Sequence, residues 1–414
     1  MRISGLSGNE AYCLRLKGWE PGDIVVGNSV QSLGVTGGIA SAFQSMAGGE
    51  IENLTQLISE GRHAALERIE KDAKGRGAQG LTGVTLEVRT LGGLIEFLAI
   101  GSAIHGKDHQ GEFFSTACTG QELYCQFDAG YEPRHFVMGN VCYALGIGRG
   151  LTGMFRQFSA RGEVKEFSDM YNHTRQLALG RLEIDARERG CNAVVDISTR
   201  VVPMAGALEI IMVGTGSYHA GLGVRQQPVT SELTGEELWN LTQMGYEPVR
   251  LVLGTSVYAL GFAGGFAAMF RSMSRGEVPE ITHLIHEARE NCLAHIHEDA
   301  KRHGADEVIG VKLFVTELGA GLIEVLGIGT AVKKSSSLST ATPQLPPQAI
   351  IRDRDTFFDA TKANLSRDHA GDGHAAPAPG AQGNPLGCLI VLIAFGVISS
   401  AVLLFIGLAI AFAK

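Results

Sequence analysis

Gly18-Trp19-Glu20-Pro21 returns as Gly130-Tyr131-Glu132-Pro133 and again as Gly245-Tyr246-Glu247-Pro248, at a period of about 113 residues. This recurrence decides the fold. A period so far above the 20–50 residues of solenoid repeats makes each copy a small domain in its own right. Other marks keep the same spacing. Gly49-Glu50 recurs as Gly162-Glu163 and Gly276-Glu277, and Gly77 recurs as Gly190 and Gly304.

Each copy opens with a capping box: Ser7-Gly8-Asn9-Glu10, Thr119-Gly120-Gln121-Glu122 and Thr234-Gly235-Glu236-Glu237. The hydroxyl and the carboxylate three residues later satisfy orphan amides at a helix start. Gly18, Gly130 and Gly245 end that helix, since glycine tolerates the left-handed position after it. A strand follows at Asp23–Gly27, Phe136–Gly139 and Leu251–Gly254. Next, Gly38-x4-Phe43, Gly150-x4-Phe155 and Gly265-x4-Phe270 mark a glycine-rich turn and a short apolar helix.

A long helix of about 26 residues comes next in each copy. Its apolar stripe is Leu54, Ile58, Ala65 and Ile69 in the first copy, Phe167, Tyr171, Ala178 and Leu182 in the second, and Ile281, Ile285, Cys292 and Ile296 in the third. The 4-7-4 spacing keeps each set on one face, which packs on a sheet. Two strands close the unit, most clearly the hairpin of Glu307–Thr316 and Leu322–Val332. The fold class is α+β: three tandem β-α-β-β two-layer domains at 5–106, 116–221 and 231–334.

The remainder differs in kind. Residues 335–385, rich in Ser, Pro, Gly and Ala, read as a disordered linker with room for a short element near Ala349 to Phe358. Leu386 to Ala413 is 28 residues without a charge, enough for a transmembrane helix. Residues 1–25 hold no apolar signal core, and only Lys414 follows the apolar stretch. The expected topology is therefore a single-pass tail anchor with its body in the cytoplasm. Gly396, Ser400, Gly407 and Ala411 form two small-xxx-small pairs on one face of that helix, which suits close packing of anchors.

Composition narrows the function. The chain of 414 residues is 45% hydrophobic and 19% charged, which excludes global disorder. A net charge of −8 argues against a nucleic-acid partner. The seven dispersed cysteines form no CxxC and suit a reducing compartment. Gly148-Arg149-Gly150-Leu151-Thr152-Gly153 spells a dinucleotide fingerprint, but it lacks a parallel β-α-β setting. No Ser-His-Asp or Cys-His arrangement and no acid pair emerges, so no catalytic residue is assigned.

One polar cluster stands out. His283, His286, Glu287, Glu290 and His297 share a face of the third long helix, and imidazoles and carboxylates one turn apart can share a divalent metal such as zinc. The equivalent positions are Gln56, Ser59, Glu60, His63 and Glu70 in the first copy and Asp169, Asn172, His173, Gln176 and Glu183 in the second, so the histidine cluster is not a property of the unit and a solvated helix face is the favoured reading. Arg62, Arg175 and Arg289 recur at one helix position beside the apolar stripe. Glu96, Glu209 and Glu324 recur in the last strand as possible partners, within a unit or across an interface.

The long helix ending in Gly304-Ala305-Asp306-Glu307-Val308-Ile309-Gly310-Val311 resembles the YbjQ-like family, often named for heavy-metal binding. The Gly-Glu helix entry, the helix arginine and the closing strand Gly327-Ile328-Gly329-Thr330-Ala331-Val332 resemble it too. The resemblance covers residues of about 8–333, three times over, and is clearest in the third copy. It implies a fold similar to a dodecin subunit and a homo-oligomer of pentameric rings. It carries no metal site by residue. The resulting expectation is a non-enzymatic, tail-anchored membrane protein whose repeats form rings, acting as a scaffold or envelope-associated assembly. On that expectation each copy rings with its equivalents, giving three stacked rings. The alternative is a membrane-tethered metal- or ligand-binding module.

Overall fold

The computed structural model describes residues 2–32, 49–91, 94–106, 111–144, 162–204, 207–259, 279–319 and 322–351. The glycine-rich turn and short apolar helix of each copy lie outside them, as do 352–385 and the apolar stretch 386–413. Among the described residues no helix is long and apolar enough to cross a membrane.

Repeat 1 comprises α1 (Gly8–Leu16), β1 (Trp19–Ser32), β2 (Gly49–Glu50), α2 (Glu52–Gly75), β3 (Gly80–Leu91) and β4 (Leu94–Gly106). Repeat 2 comprises β5 (Phe114–Ser115), α3 (Gly120–Asp128), β6 (Glu132–Ala144), β7 (Gly162–Glu163), α4 (Lys165–Glu188), β8 (Ala193–Met204) and β9 (Ala207–Tyr218). Repeat 3 comprises β10 (Val229–Thr230), α5 (Gly235–Gln243), β11 (Tyr246–Ala259), α6 (Pro279–Arg302), β12 (Glu307–Gly319) and β13 (Leu322–Lys334). A short helix, α7 (Pro347–Ile350), follows.

All three capping boxes form. Ser7, Thr119 and Thr234 each accept from the amide of the glutamate three residues on, whose carboxylate accepts from the cap amide in return. The helix-ending glycines take left-handed backbone, with φ of 81° at Gly18, 82° at Gly130 and 77° at Gly245. The first strand starts directly behind them, earlier than the sequence pattern suggests.

Each unit is a three-stranded antiparallel sheet in which the last strand lies between the other two, in the orders β1-β4-β3, β6-β9-β8 and β11-β13-β12. The long helix covers one face. Its predicted stripe is buried in the first copy, with Leu54, Ile58, Ala65 and Ile69 set against Val25, Leu81, Ile95, Phe97 and Ala99. Close packing is possible because the helix crosses the first strand at a glycine. A Cβ on Gly139 would run into the carbonyl oxygen of Ala178 and the amide of Leu182, and Gly27 and Gly254 meet their helices in the same way.

Residues 335–351 do not behave as the free linker that their composition suggests. They form a strap over α1, α3 and α5. Leu338, Leu345 and Ala349 are buried in one cluster with Cys13, Tyr124, Leu238 and Trp239. The Gln121 amide donates to the carbonyls of Gln348 and Ile351, both at 2.7 Å. Three well-placed apolar side chains and these polar ties are enough to order a segment too sparse in hydrophobic residues to signal itself by periodicity.

Candidate assembly interface

The repeats sit side by side, and the joint between them is built from the long helix of one repeat and the sheet of the next. Each long helix carries a second stripe beside its core stripe: Thr55, Arg62 and Leu66 on α2, and Ser168, Arg175 and Leu179 on α4. All six residues are buried. They face the following repeat.

At the first joint, Arg62 Nη2 lies 2.6 Å from Glu209 Oε2 on β9. Asn140 Nδ2 donates to the other Glu209 oxygen at 3.1 Å and to the Thr55 carbonyl at 3.3 Å. The Cys142 amide donates to Thr55 Oγ1 at 2.9 Å. At the second joint, Arg175 Nη2 lies 2.5 Å from Glu324 Oε1 on β13, while its aligned hydrogen bond runs from Nη1 to Thr255 Oγ1 at 2.7 Å. The Val257 amide donates to Ser168 Oγ at 2.9 Å. The two joints are the same joint, used twice.

Short strands stitch it on both sides. β2 pairs with the end of β6 (Glu50 opposite Tyr143), and β7 pairs with the end of β11 (Glu163 opposite Tyr258). The Gly-Glu pair that reads in sequence as a helix entry therefore serves as an edge strand on the next repeat. In the reverse direction, β5 of repeat 2 adds in parallel to β3, and β10 of repeat 3 adds in parallel to β8.

A buried ion pair loses much of its Coulomb gain to desolvation. The arginine–glutamate pairs are thus better at fixing the register of one repeat on the next than at adding net stability. The apolar contacts around them supply the rest. Phe136, Met138, Cys142 and Ala207 of repeat 2 belong to the same core cluster as the repeat 1 helix.

The third arginine behaves differently. Arg289 is exposed on α6 and has no carboxylate partner among the described residues. Glu96 is half-buried on β4, and among the described residues it accepts only a 3.5 Å contact from Asn28 Nδ2. The sequence pattern identifies both partner sets, but it does not show that they meet across repeats of one chain.

The third-helix histidines do not converge. His283, His286, Glu287, Glu290 and His297 are all exposed, and the nearest approach is His283 Nδ1 to Glu287 Oε2 at 4.0 Å. Among the described residues no group of three or more His, Cys, Asp or Glu is placed to hold a metal. Cys13, Cys118, Cys125, Cys142, Cys191 and Cys292 are buried free thiols. Burial pushes Cys13 and Cys191 up to about 11 and Cys142 up to about 12, so these thiols stay protonated and inert.

The architecture agrees with comparison to known proteins. A family described as "Putative heavy-metal-binding" (YbjQ) matches residues 19–107, 131–219 and 241–335. The chain belongs to the YbjQ family. An encapsulin nanocompartment protein from Mycobacterium tuberculosis is 28% identical over 249 residues, 57% of this chain and 91% of that one. A UPF0145 protein from Methanococcus maripaludis is 35% identical over 88 residues, 21% of this chain and 79% of the relative. Another, from Thermotoga petrophila, is 40% identical over 82 residues, 20% and 77% of the two chains. The two UPF0145 proteins match a length close to one YbjQ repeat, whereas the mycobacterial protein matches more than two.

The side-by-side joint replaces the expected stack of three separate rings. Because neighbouring repeats of one chain already occupy adjacent lateral positions, whole chains cannot complete a ring of five repeats.

Proposed function

We propose that this protein is a non-enzymatic assembly subunit, a scaffold whose three YbjQ repeats form a lateral array held at a membrane by Leu386–Ala413. The observation that carries the reading is the repeated joint of Arg62–Glu209 and Arg175–Glu324, which adds one repeat to the next by a fixed geometry. A contact of that kind propagates, and propagation is what a scaffold needs. The name of the mycobacterial relative, an encapsulin nanocompartment protein, points the same way. The membrane part of the reading rests on the 28 uncharged residues at the C-terminal end.

Cell fractionation followed by electron microscopy of the detergent-solubilised protein tests this reading. The expected result is a membrane-fraction protein that purifies as particles of several chains with a regular outline. A single chain at tens of micromolar, or a protein that leaves the membrane fraction in high salt, overturns it.

A further inference from the structure

The two ends of the three-repeat body are complementary halves of the joint already present twice inside it. We infer that a second copy of this chain docks head to tail, with Arg289 of one copy against Glu96 of the next. The inference rests on the assembly reading above and names its contact.

The argument is from equivalence and exposure. On the leading face, Ile24, Val26 and Val30 of β1 and Leu94 of β4 are 40–49% exposed. Their equivalents in repeat 2 are Phe136, Met138, Cys142 and Ala207, all buried under the preceding helix. In repeat 3 they are Leu251, Leu253, Val257 and Leu322, also buried. The residue type stays apolar in all three repeats, and only the cover is missing from the first.

The trailing face shows the converse. Leu293 of α6 is 36% exposed, whereas its equivalents Leu66 and Leu179 are buried. Val311 on β12 is 39% exposed, and its equivalents Val84 and Ile197 are buried. Apolar side chains repeated on a free face mark an interaction surface rather than scattered exposure.

The backbone edges match as well. β3 and β8 each receive a short parallel strand from the following repeat, but β12 is the outer strand of its sheet among the described residues. Residues 2–6 occupy, beside β1, the place that β5 takes beside β6. The Ile24 amide donates to the Ile3 carbonyl at 2.8 Å, where the equivalent Phe136 amide donates to Ser115 Oγ at 3.0 Å. Ile3 is 66% exposed. In the head-to-tail contact this segment adds to the β12 edge at Glu307–Val311.

Such a contact joins two different surfaces, so it continues from copy to copy, and either a closed ring or an open filament results. Charge reversal in the full-length protein tests it. Wild type is expected to assemble with concentration, while R289E and E96R each remain single chains that melt as wild type does at concentrations too low for it to assemble. An equimolar mixture of the two variants is expected to regain assembly, because every joint between unlike variants pairs opposite charges. The R289E/E96R double variant is expected to assemble alone for the same reason. Particles whose size ignores all three changes would sink this joint while sparing the assembly reading. A wild type that stays a single chain at every concentration would sink both.

Discussion

The indole Nε1–H of Trp239 donates to Asp128 at 2.8 Å, tying repeat 3 to repeat 2 through α5 and α3. The same carboxylate accepts from Lys17 of repeat 1 at 2.6 Å and from Thr342 Oγ1 of the strap at 2.8 Å. One side chain therefore gathers all three repeats and the segment behind them. Burial alone would raise the Asp128 carboxyl, but the Lys17, Trp239 and Thr342 hydrogen bonds outweigh it and hold the group below its ordinary value.

Asp128→Ala should cost about 3 kcal/mol, since it leaves the charged Lys17 donor and three neutral ones, from Trp239 Nε1, Thr342 Oγ1 and the Thr342 amide, without their acceptor. The contribution has a definite pH sign. A carboxyl depressed in the folded state adds stability above its ordinary value of 3.8 and loses it as pH falls through the lower folded value. Urea titrations at pH 7 and in strong acid should show the wild-type advantage over the variant shrinking in acid. An advantage that stays constant would contradict the assignment.

The inter-repeat ion pairs should behave as buried pairs do. Arg62→Met or Glu209→Leu alone should destabilise by about 3–5 kcal/mol, each stranding a polar partner in the joint. Arg62→Met with Glu209→Leu should recover most of that loss. A double-mutant cycle on thermal unfolding reads the coupling, and additive losses would show that the two groups do not interact.

Gly139→Ala should destabilise by about 1–3 kcal/mol through overpacking, because the added methyl meets helix backbone that cannot swing aside. Gly8→Ala, whose Cβ meets nothing within 4 Å, is the control. Equal melting temperatures for the two variants would argue against the close crossing.

Glu232 supplies a second pH signature, opposite in sign. Burial, opposed by Lys312 and reinforced by Glu237, pushes its carboxyl up to about 7. A carboxyl raised in the folded state contributes stability that is fully present below the ordinary 4.5 and is lost as pH rises through about 7. Glu232→Gln should therefore flatten the stability profile between those values and leave the variant the more stable protein at pH 8. A variant that parallels wild type across the window would refute the shift.

Much of the unit was legible in sequence because its signals are local. A hydroxyl three residues before a glutamate, a glycine at a helix end and a 4-7-4 stripe each act within one element. The joint was only half legible. Recurrence of Arg62 and Glu209 shows that something is preserved from copy to copy, but a pairing 147 positions apart in the chain leaves no local period. The two-residue strands are silent for the same reason, as Gly49-Glu50 is too short to carry an alternation. The strap leaves no sequence signal because Leu338, Leu345 and Ala349 are widely spaced. The histidine face was visible as a pattern, yet helical spacing says only that side chains share a face. His283 and His286 share one and still point into solvent.

The strap has a mechanical consequence. A pull on the chain beyond Ile351 arrives first at Gln121 of repeat 2 and then, through Thr342 and Asp128, at Lys17 of repeat 1 and Trp239 of repeat 3. Repeat 3 is the last repeat in sequence, but it is not the first to bear load. Tension is shared across three helices, so the body resists being peeled apart one domain at a time.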